Sequence, residues 1–169
     1  TLRGLPARPQ LAYHATALLK DGQVWVATRH DVATSPRTGV SWFDGSSWHT
    51  YGTADGLPDA SVEDITALPG GRAWIAMPGG VAWFDGTSWT VYGPTHGLAG
   101  QPHAVAVAPD GTVYAGTGSG LFRRAVSTWT AVDMTGLTSG HSVIDLVVGA
   151  DGHVWTLGQS QRAGALAAA

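Results

Sequence analysis

The histidines and carboxylates of this sequence are the side chains that could perform acid–base catalysis. His30 and Asp31 are adjacent, and His141 stands near Asp145, so each pair offers an imidazole and a carboxylate for general acid–base chemistry. No spacing in the sequence requires either pair to meet at one substrate. We therefore predict no catalytic residues, and a lyase or glycosidase stays only as a remote alternative.

A metal site would have to draw its ligands from separate loops. His96, His103 and His141 would need three loops to converge, and no His-x-His or His-x-x-x-His pair occurs. The chain has no cysteine, which excludes disulfides and thiolate ligands. The sequence therefore predicts no metal and no cofactor.

The charge of the chain bears on its partners and its compartment. Net charge is −3 with nine basic residues scattered along the chain, whereas nucleic acid requires a concentrated basic surface. No apolar run approaches the roughly 20 residues that span a bilayer. Charged residues make up only 12% of the chain, a low share that favours an extracytoplasmic location or burial against partners. We expect no nucleic-acid partner and no membrane insertion.

The segment 62–93 shows which elements must position any site. It contains four short apolar runs, separated by the turn signals Pro69-Gly70-Gly71, Pro78-Gly79-Gly80 and Asp85-Gly86. Short runs rich in Trp, Val, Ile and Tyr and bounded by glycine are typical of strands joined by tight hairpins. The segment is predicted to form a four-stranded antiparallel meander.

This unit recurs along the chain with a period of about 40 residues, which is typical of the four-stranded blade of a β-propeller. The fold class is therefore predicted as all-β, a β-propeller of four-stranded antiparallel blades. A single blade cannot cover its own faces, so aromatic residues should pack between blades. Stacking platforms for a sugar or base are the alternative for the same aromatics. The repeated aromatics predicted as core are Trp25, Trp74, Tyr114 and Trp155 in second strands and Trp48, Trp89 and Trp129 in fourth strands.

The repeat also divides the chain. Residues 1–11 are predicted as the tail of a preceding return loop or a lead-in, and 161–169 as a low-complexity tail. Blades are predicted at 12–61, 62–102, 103–142 and 143–160, the last one partial. In the third, Leu121-Phe122-Arg123-Arg124 replaces Val-x-Trp-Phe and the Asp-Gly turn is lost. A closed ring needs four to eight complete blades, so we expect further blades or a protein partner to cover the open strand edges.

One face of the predicted blades gathers the long loops, and we call this face the rim. It combines the insertion 29–39 with the return loops 52–61, 93–102 and 133–142, and loops on a rigid scaffold commonly carry function. A glycan, peptide or small molecule is the expected ligand, although ordinary solvated loop residues are the alternative. The candidate binding residues on the rim are Arg29, His30, Asp31, Arg37, Asp55, Asp59, His96, Gln101, His103 and His141.

The repeat resembles the two-component-regulator propeller repeat family of bacteria. The matching elements are Asp55-Gly56-Leu57-Pro58, Gly71-Arg72-x-Trp74-Ile75-Ala76 and Phe84-Asp85-Gly86-x-x-Trp89. The resemblance implies a sensory or binding propeller, since such propellers form periplasmic sensor parts of histidine kinases and occur in secreted proteins. The Asp-Gly-x-x-Trp elements are also similar to those of sialidase-like propellers, and Pro109-Asp110-Gly111 to streptogramin lyases.

Two non-enzymatic functions therefore remain open. The first is an extracytoplasmic binding or sensory module that recognises a ligand or protein on the rim. The second is a structural subunit docked into a larger assembly, which the low charge and the incomplete blade favour.

Overall fold

The computed structural model describes residues 12–18, 23–29, 39–59, 61–134 and 141–160. The predicted lead-in 1–11 and tail 161–169 lie outside the described residues, and so do His30, Asp31 and Arg37 of the rim. For Arg29 and His141 the backbone is described.

The described strands form three four-stranded antiparallel meanders and a fourth sheet of two strands. This arrangement confirms the predicted propeller blades. β9 begins at Pro102 and β13 at His141, slightly before the predicted boundaries at 103 and 143. The strands are β1 (Ala12–Leu18), β2 (Val24–Arg29), β3 (Gly39–Phe43) and β4 (Trp48–Tyr51); β5 (Asp64–Leu68), β6 (Arg72–Met77), β7 (Gly80–Phe84) and β8 (Trp89–Tyr92); β9 (Pro102–Val107), β10 (Val113–Thr117), β11 (Gly120–Ala125) and β12 (Thr128–Ala131); β13 (His141–Val148) and β14 (Val154–Ser160).

Aspartate fixes the last hairpin of the first two sheets. Oδ1 of Asp85 accepts the backbone N–H groups of Thr87 and Ser88 at 2.8 Å, and Asp44 does the same in the first sheet. Gly86 follows at a φ of 107°, a left-handed conformation that suits glycine. The third sheet instead places Val126 in the left-handed region, at a φ of 56°.

The second strands of the first two sheets are buried on both faces. Residues 24–27 and 73–77 are buried throughout, as their unbroken apolar sequence predicts. In the described part of the chain, no helix has the length and hydropathy needed to cross a membrane.

The core lies in three seams between successive sheets. We call the contact of the first and second sheets the first seam, that of the second and third the second seam, and that of the third and fourth the third seam. The second-strand aromatic of each sheet faces the sheet that follows. Trp25 packs against Phe84 and Trp89, and Trp74 packs against Trp129.

This geometry corrects the prediction for Trp155. Trp25 and Trp74 are 0% and 4% exposed, whereas Trp155 is 71% exposed. No described sheet follows the fourth one, so the face that carries Trp155 lies open. Among the other predicted core aromatics, Trp129 is buried, and Tyr114, Trp48 and Trp89 are half-buried.

Candidate functional site

Two of the predicted rim residues hold their own loops. Asp55 accepts the backbone N–H of Gly52 through Oδ2 at 2.8 Å, and Nδ1 of His96 accepts that of Gly93 at 3.2 Å. Each side chain thereby closes a short 3-10 turn, Thr53–Asp55 or Pro94–His96. Asp59 likewise accepts the N–H of Ser61 at 2.8 Å. These side chains position the rim backbone, and their polar atoms are partly occupied by it.

Gln101 and His103 flank the return loop between the second and third sheets. The side chain of Gln101 is exposed, and the backbone carbonyl oxygen of Gln101 accepts the N–H of Gly118 at 2.9 Å. Thr117, which is fully buried, donates its hydroxyl to the carbonyl of Ala99 at 2.8 Å. His103 is half-buried at the start of β9. The loop is therefore fixed on both sides of Gly100.

A pocket of about 330 Å³ opens on the rim where this loop meets the β6–β7 hairpin. Glycine and proline backbone from residues 78–80, 93–94 and 100–102 forms most of its wall, together with Leu98. Gln101 contributes the one polar side chain among these lining residues. We call this cavity the rim pocket.

A second cavity, of about 430 Å³, lies at the opposite end of the same seam. It is bounded by the end of β5, the β9–β10 hairpin and the outer part of β7. Trp83 and Arg124 face Leu68, Val107, Pro109 and Gly111 across it. We call this cavity the seam cleft.

Arg124 lies against two neighbouring aromatic rings at the side of the seam cleft. Its Cζ lies 5.1 Å from the centre of the Trp74 ring and 5.0 Å from that of Tyr92. Nη2 donates to the Tyr92 hydroxyl at 2.9 Å, while Nε is buried without a hydrogen-bond partner. Cation–π attraction of this kind offsets part of the cost of removing a guanidinium from water.

The first seam is filled at the position where the second seam contains the seam cleft. Gly71 in the β5–β6 hairpin lies directly under the ring of Trp42, and a Cβ built on Gly71 would lie 2.4 Å from that ring. Gly111 holds the matching position in the β9–β10 hairpin, yet a Cβ there would meet nothing within 4 Å. Trp83, the counterpart of Trp42, stacks on Trp74 at 4.8 Å between ring centres. The uncovered glycine leaves room for the seam cleft.

Sequence reasoning missed the seam cleft, although a signal was present. Arg123-Arg124 stands in the third repeat where the second has Trp83-Phe84. In register terms, Arg124 pairs with Trp129 as Phe84 pairs with Trp89. A charged residue at an aromatic position of a repeat indicates a changed environment at that seam, and this signal could have located the cleft.

Metal chemistry has no support in the described part of the chain, where no group of three or more His, Asp or Glu side chains could hold an ion. His96 and His103 do not join a ligand cluster there. The side chain of His141, the third histidine considered, is not described.

Comparison with known proteins supports the fold and leaves the family open. No family model matches this chain, and no curated protein sequence matches it. Among solved structures, the extracellular domain of a protein described as a hybrid two-component system, from B. thetaiotaomicron, is similar with a TM-score of 0.67 at 17% identity. Virginiamycin B lyase from Staphylococcus aureus is similar with a TM-score of 0.63 at 16% identity. PorZ, a surface component of the type-IX secretion system of Porphyromonas gingivalis, is similar at 0.61 and 21%.

These similarities cover most of this chain and a smaller part of each other protein. The matches cover 86%, 85% and 87% of this chain, and 20%, 48% and 24% of the three structures in the same order. The chain thus spans half or less of the length of each protein. At such identities the likeness shows a shared propeller fold, which hosts sensory, enzymatic and secretion-related proteins alike.

Proposed function

We propose that this chain forms part of a non-catalytic β-propeller module that acts outside the cytoplasm and recognises a ligand or protein on its rim. The rim pocket is the observation that carries the proposal. Its return loop is fixed by hydrogen bonds from His96 and Thr117 before any ligand arrives. Sites for small molecules are commonly concave, preformed and mostly apolar, with a small number of placed polar groups.

The rim pocket favours an uncharged ligand. Gln101 offers an amide that both donates and accepts hydrogen bonds, and the neighbouring lining residues carry no charge. A neutral glycan or a peptide segment presents hydroxyl or amide groups that match this wall. The extracellular domains among the similar structures and the 12% charged content support an extracytoplasmic location.

Binding of a neutral glycan panel to the purified protein tests this proposal. We expect at least one glycan to bind and Gln101→Ala to weaken that binding about tenfold, the loss expected for one or two hydrogen bonds. Ser127→Ala, an exposed change at the opposite end of the strands, is the matched control and should bind normally. Equal binding by Gln101→Ala would remove the rim pocket from the proposal. Mass spectrometry of the bound glycan checks the non-catalytic part, since a cleaved product would indicate an enzyme.

A second candidate function, a subunit of a larger assembly, is favoured by the open face of the fourth sheet. Val147, Trp155 and Leu157 are 59%, 71% and 59% exposed, and Val147 pairs directly with Trp155 across β13 and β14. Large exposed apolar patches commonly mark interaction surfaces. A further blade of the same protein or a protein partner would cover this face.

Asp145 on the same sheet supports this second candidate. Asp64 holds the matching position in the second sheet, where Oδ1 accepts its neighbour's N–H and Oδ2 accepts the N–H of Val105 in the next sheet at 2.9 Å. Asp145 repeats the first contact with Leu146 at 2.8 Å. Its second oxygen is thus placed to accept an N–H from an incoming strand.

Light scattering of the purified chain tests the assembly candidate. We expect self-association that Trp155→Ser reduces, while Val126→Ser, at an exposed turn residue, leaves it unchanged. The assembly candidate would be contradicted if the chain is monomeric with and without the substitution and binds no protein partner through this face.

A further inference from the structure

We propose that the seam cleft is a second ligand site, specific for a carboxylate-bearing ligand with a flat or apolar ring face, such as a uronic acid sugar. The site lies at the opposite end of the seam from the rim pocket and uses different residues. Its two essential parts are the Arg124 guanidinium and the Trp83 ring.

Within the described residues, no ion pair balances the charge of Arg124. Among the residues that the structure describes, the ion pairs are His49–Asp44 and His153–Asp151, and no carboxylate lies within ion-pair distance of Arg124. Asp110, which stands between the lining residues Pro109 and Gly111, accepts the backbone N–H of Thr112 through Oδ1 at 2.8 Å. A half-buried cation without a counter-ion favours an anionic partner, because the anion offsets the cost of desolvating the charge.

The hydrogen-bonding state of the guanidinium indicates how the anion would bind. Nη2 donates one hydrogen to Tyr92 and Nε is buried, so Nη1 and the second hydrogen of Nη2 remain as donors for an anion. Tyr92 and Trp74, whose ring centres lie 5.7 Å apart, both contact the guanidinium and restrict its movement. Little side-chain freedom is therefore lost when a carboxylate accepts from it, and preorganisation of this kind increases affinity.

Trp83 supplies the second half of the site. Its counterpart Trp42 covers a glycine of the next sheet, whereas Trp83 is half-buried and borders a cavity of about 430 Å³. An indole face beside a cation suits a ring that carries a carboxylate, since the ring stacks on the indole while the carboxylate reaches Arg124. The remaining wall at Leu68, Val107 and Pro109 is apolar and would contact the same ring.

NMR titration of the full chain with D-galacturonate, and with D-galactose as its neutral counterpart, tests the inference. The indole N–H signal of Trp83, assigned with Trp83→Phe, reports binding in the cleft. We expect saturable shifts with galacturonate and at least about tenfold weaker binding of galactose, as for loss of a charge-assisted hydrogen bond. Benzoate against benzamide forms a second matched pair, which separates a sugar-specific site from a general site for ring carboxylates.

Arg124→Phe is the decisive variant because it restores the residue type found at the matching position of the second sheet, so the fold should be kept. We expect about 10–100-fold weaker galacturonate binding in this variant. The inference would be overturned if Arg124→Phe binds galacturonate with unchanged affinity, or if neither galacturonate nor benzoate binds to the protein. Gln101→Ala should leave galacturonate binding intact, so failure of the rim proposal and failure of this inference are separate results.

Discussion

Arg124 in the third sheet occupies the position that Phe84 occupies in the second. Phe84 packs 5.8 Å from Trp25 and 4.9 Å from Tyr51, measured between ring centres, and Arg124 lies at 5.1 and 5.0 Å from the matching Trp74 and Tyr92. Both residues pair with the fourth-strand tryptophan of their own sheet. A tryptophan and a tyrosine in matching positions therefore contact a phenyl ring in the first seam and a guanidinium in the second.

Exchanging these two residues should have opposite effects on stability. Arg124→Phe should raise the free energy of unfolding by about 1 kcal/mol, because it removes a buried Nε without a partner and restores apolar packing. Phe84→Arg should lower it by about 3–5 kcal/mol, because Phe84 is 1% exposed and an unpaired charge would be buried there. Urea unfolding measures both, and a strong loss in Arg124→Phe would show that the guanidinium is itself required for the fold.

Two tryptophans at the same repeat position should differ greatly in their contribution to stability. Trp74→Ala should cost about 3–5 kcal/mol, since the ring is buried among Trp83, Tyr92 and Trp129. Trp155→Ala should cost less than about 1 kcal/mol, because the side chain is 71% exposed. Denaturant unfolding of the two variants checks this difference. A cost below about 0.5 kcal/mol for Trp74→Ala would instead identify that ring as a surface platform.

The hairpin glycines of the two seams should respond differently to alanine. Gly71 and Gly111 both have positive φ, 71° and 85°, so either substitution strains the backbone. Only at Gly71 would the new methyl group meet the Trp42 ring. Gly71→Ala should therefore be the more destabilising variant by about 1–3 kcal/mol, the range for overpacking a filled site. Equal thermal shifts for the two variants would contradict the open second seam.

Val126 should be a site where substitution stabilises the protein. A β-branched residue at a φ of 56° is strained, and its side chain is 87% exposed and contributes little packing. Val126→Asn should raise stability by about 0.5–1 kcal/mol, since asparagine tolerates the left-handed region. Gly86→Val, which places valine at the matching turn of the second sheet, should lower it. Calorimetry of both variants measures the effect, and a destabilised Val126→Asn would show that the strain estimate is wrong.

The aspartate turns predict a loss of stability in acid. The side-chain hydrogen bond from His49 and the backbone N–H groups of Ser47 and Ser46 hold the pKa of Asp44 well below its usual range. N–H groups of Ser88 and Thr87 lower the pKa of Asp85 in the same way. A folded pKa below the unfolded value near 3.9 stabilises the fold above that pH, and the stabilisation is lost as pH falls toward the folded pKa.

Asparagine substitution tests this acid dependence. Asp44→Asn and Asp85→Asn keep an oxygen that accepts the turn N–H groups but remove the titration. The double variant should lose less stability than the unsubstituted protein between about pH 5 and pH 2. Thermal unfolding across this range measures it, and parallel curves would exclude the two turns as the source of acid sensitivity.

The sequence predicted the elements that depend on local chemistry. Glycine, proline and aspartate marked the hairpins, and apolar runs such as 73–77 marked strands buried on both faces, because turn geometry and apolar patterning act within a few residues. Burial of Trp155 was predicted wrongly because it depends on a neighbouring sheet and not on the strand itself. The seam cleft depends on which glycine a tryptophan from the preceding sheet covers, a contact between residues far apart in sequence. Asp55 and His96 are predicted binding residues, and their contacts with their own loops depend on turn geometry that the residue types alone do not reveal.

The dependence of each second-strand aromatic on the sheet that follows has a consequence for how such a chain evolves. The second-strand aromatic of a repeat packs against the sheet of the next repeat. A duplicated repeat can therefore pack on the apolar face that the previous repeat already presents. Asp64 and Trp74 contact the sheet that follows theirs, and Asp145 and Trp155 hold the matching positions in the fourth sheet. The number of repeats is consequently not encoded in any one of them. Repeats can therefore be added or lost during evolution. Replacement of one phenylalanine by arginine can then change the chemistry of a single seam.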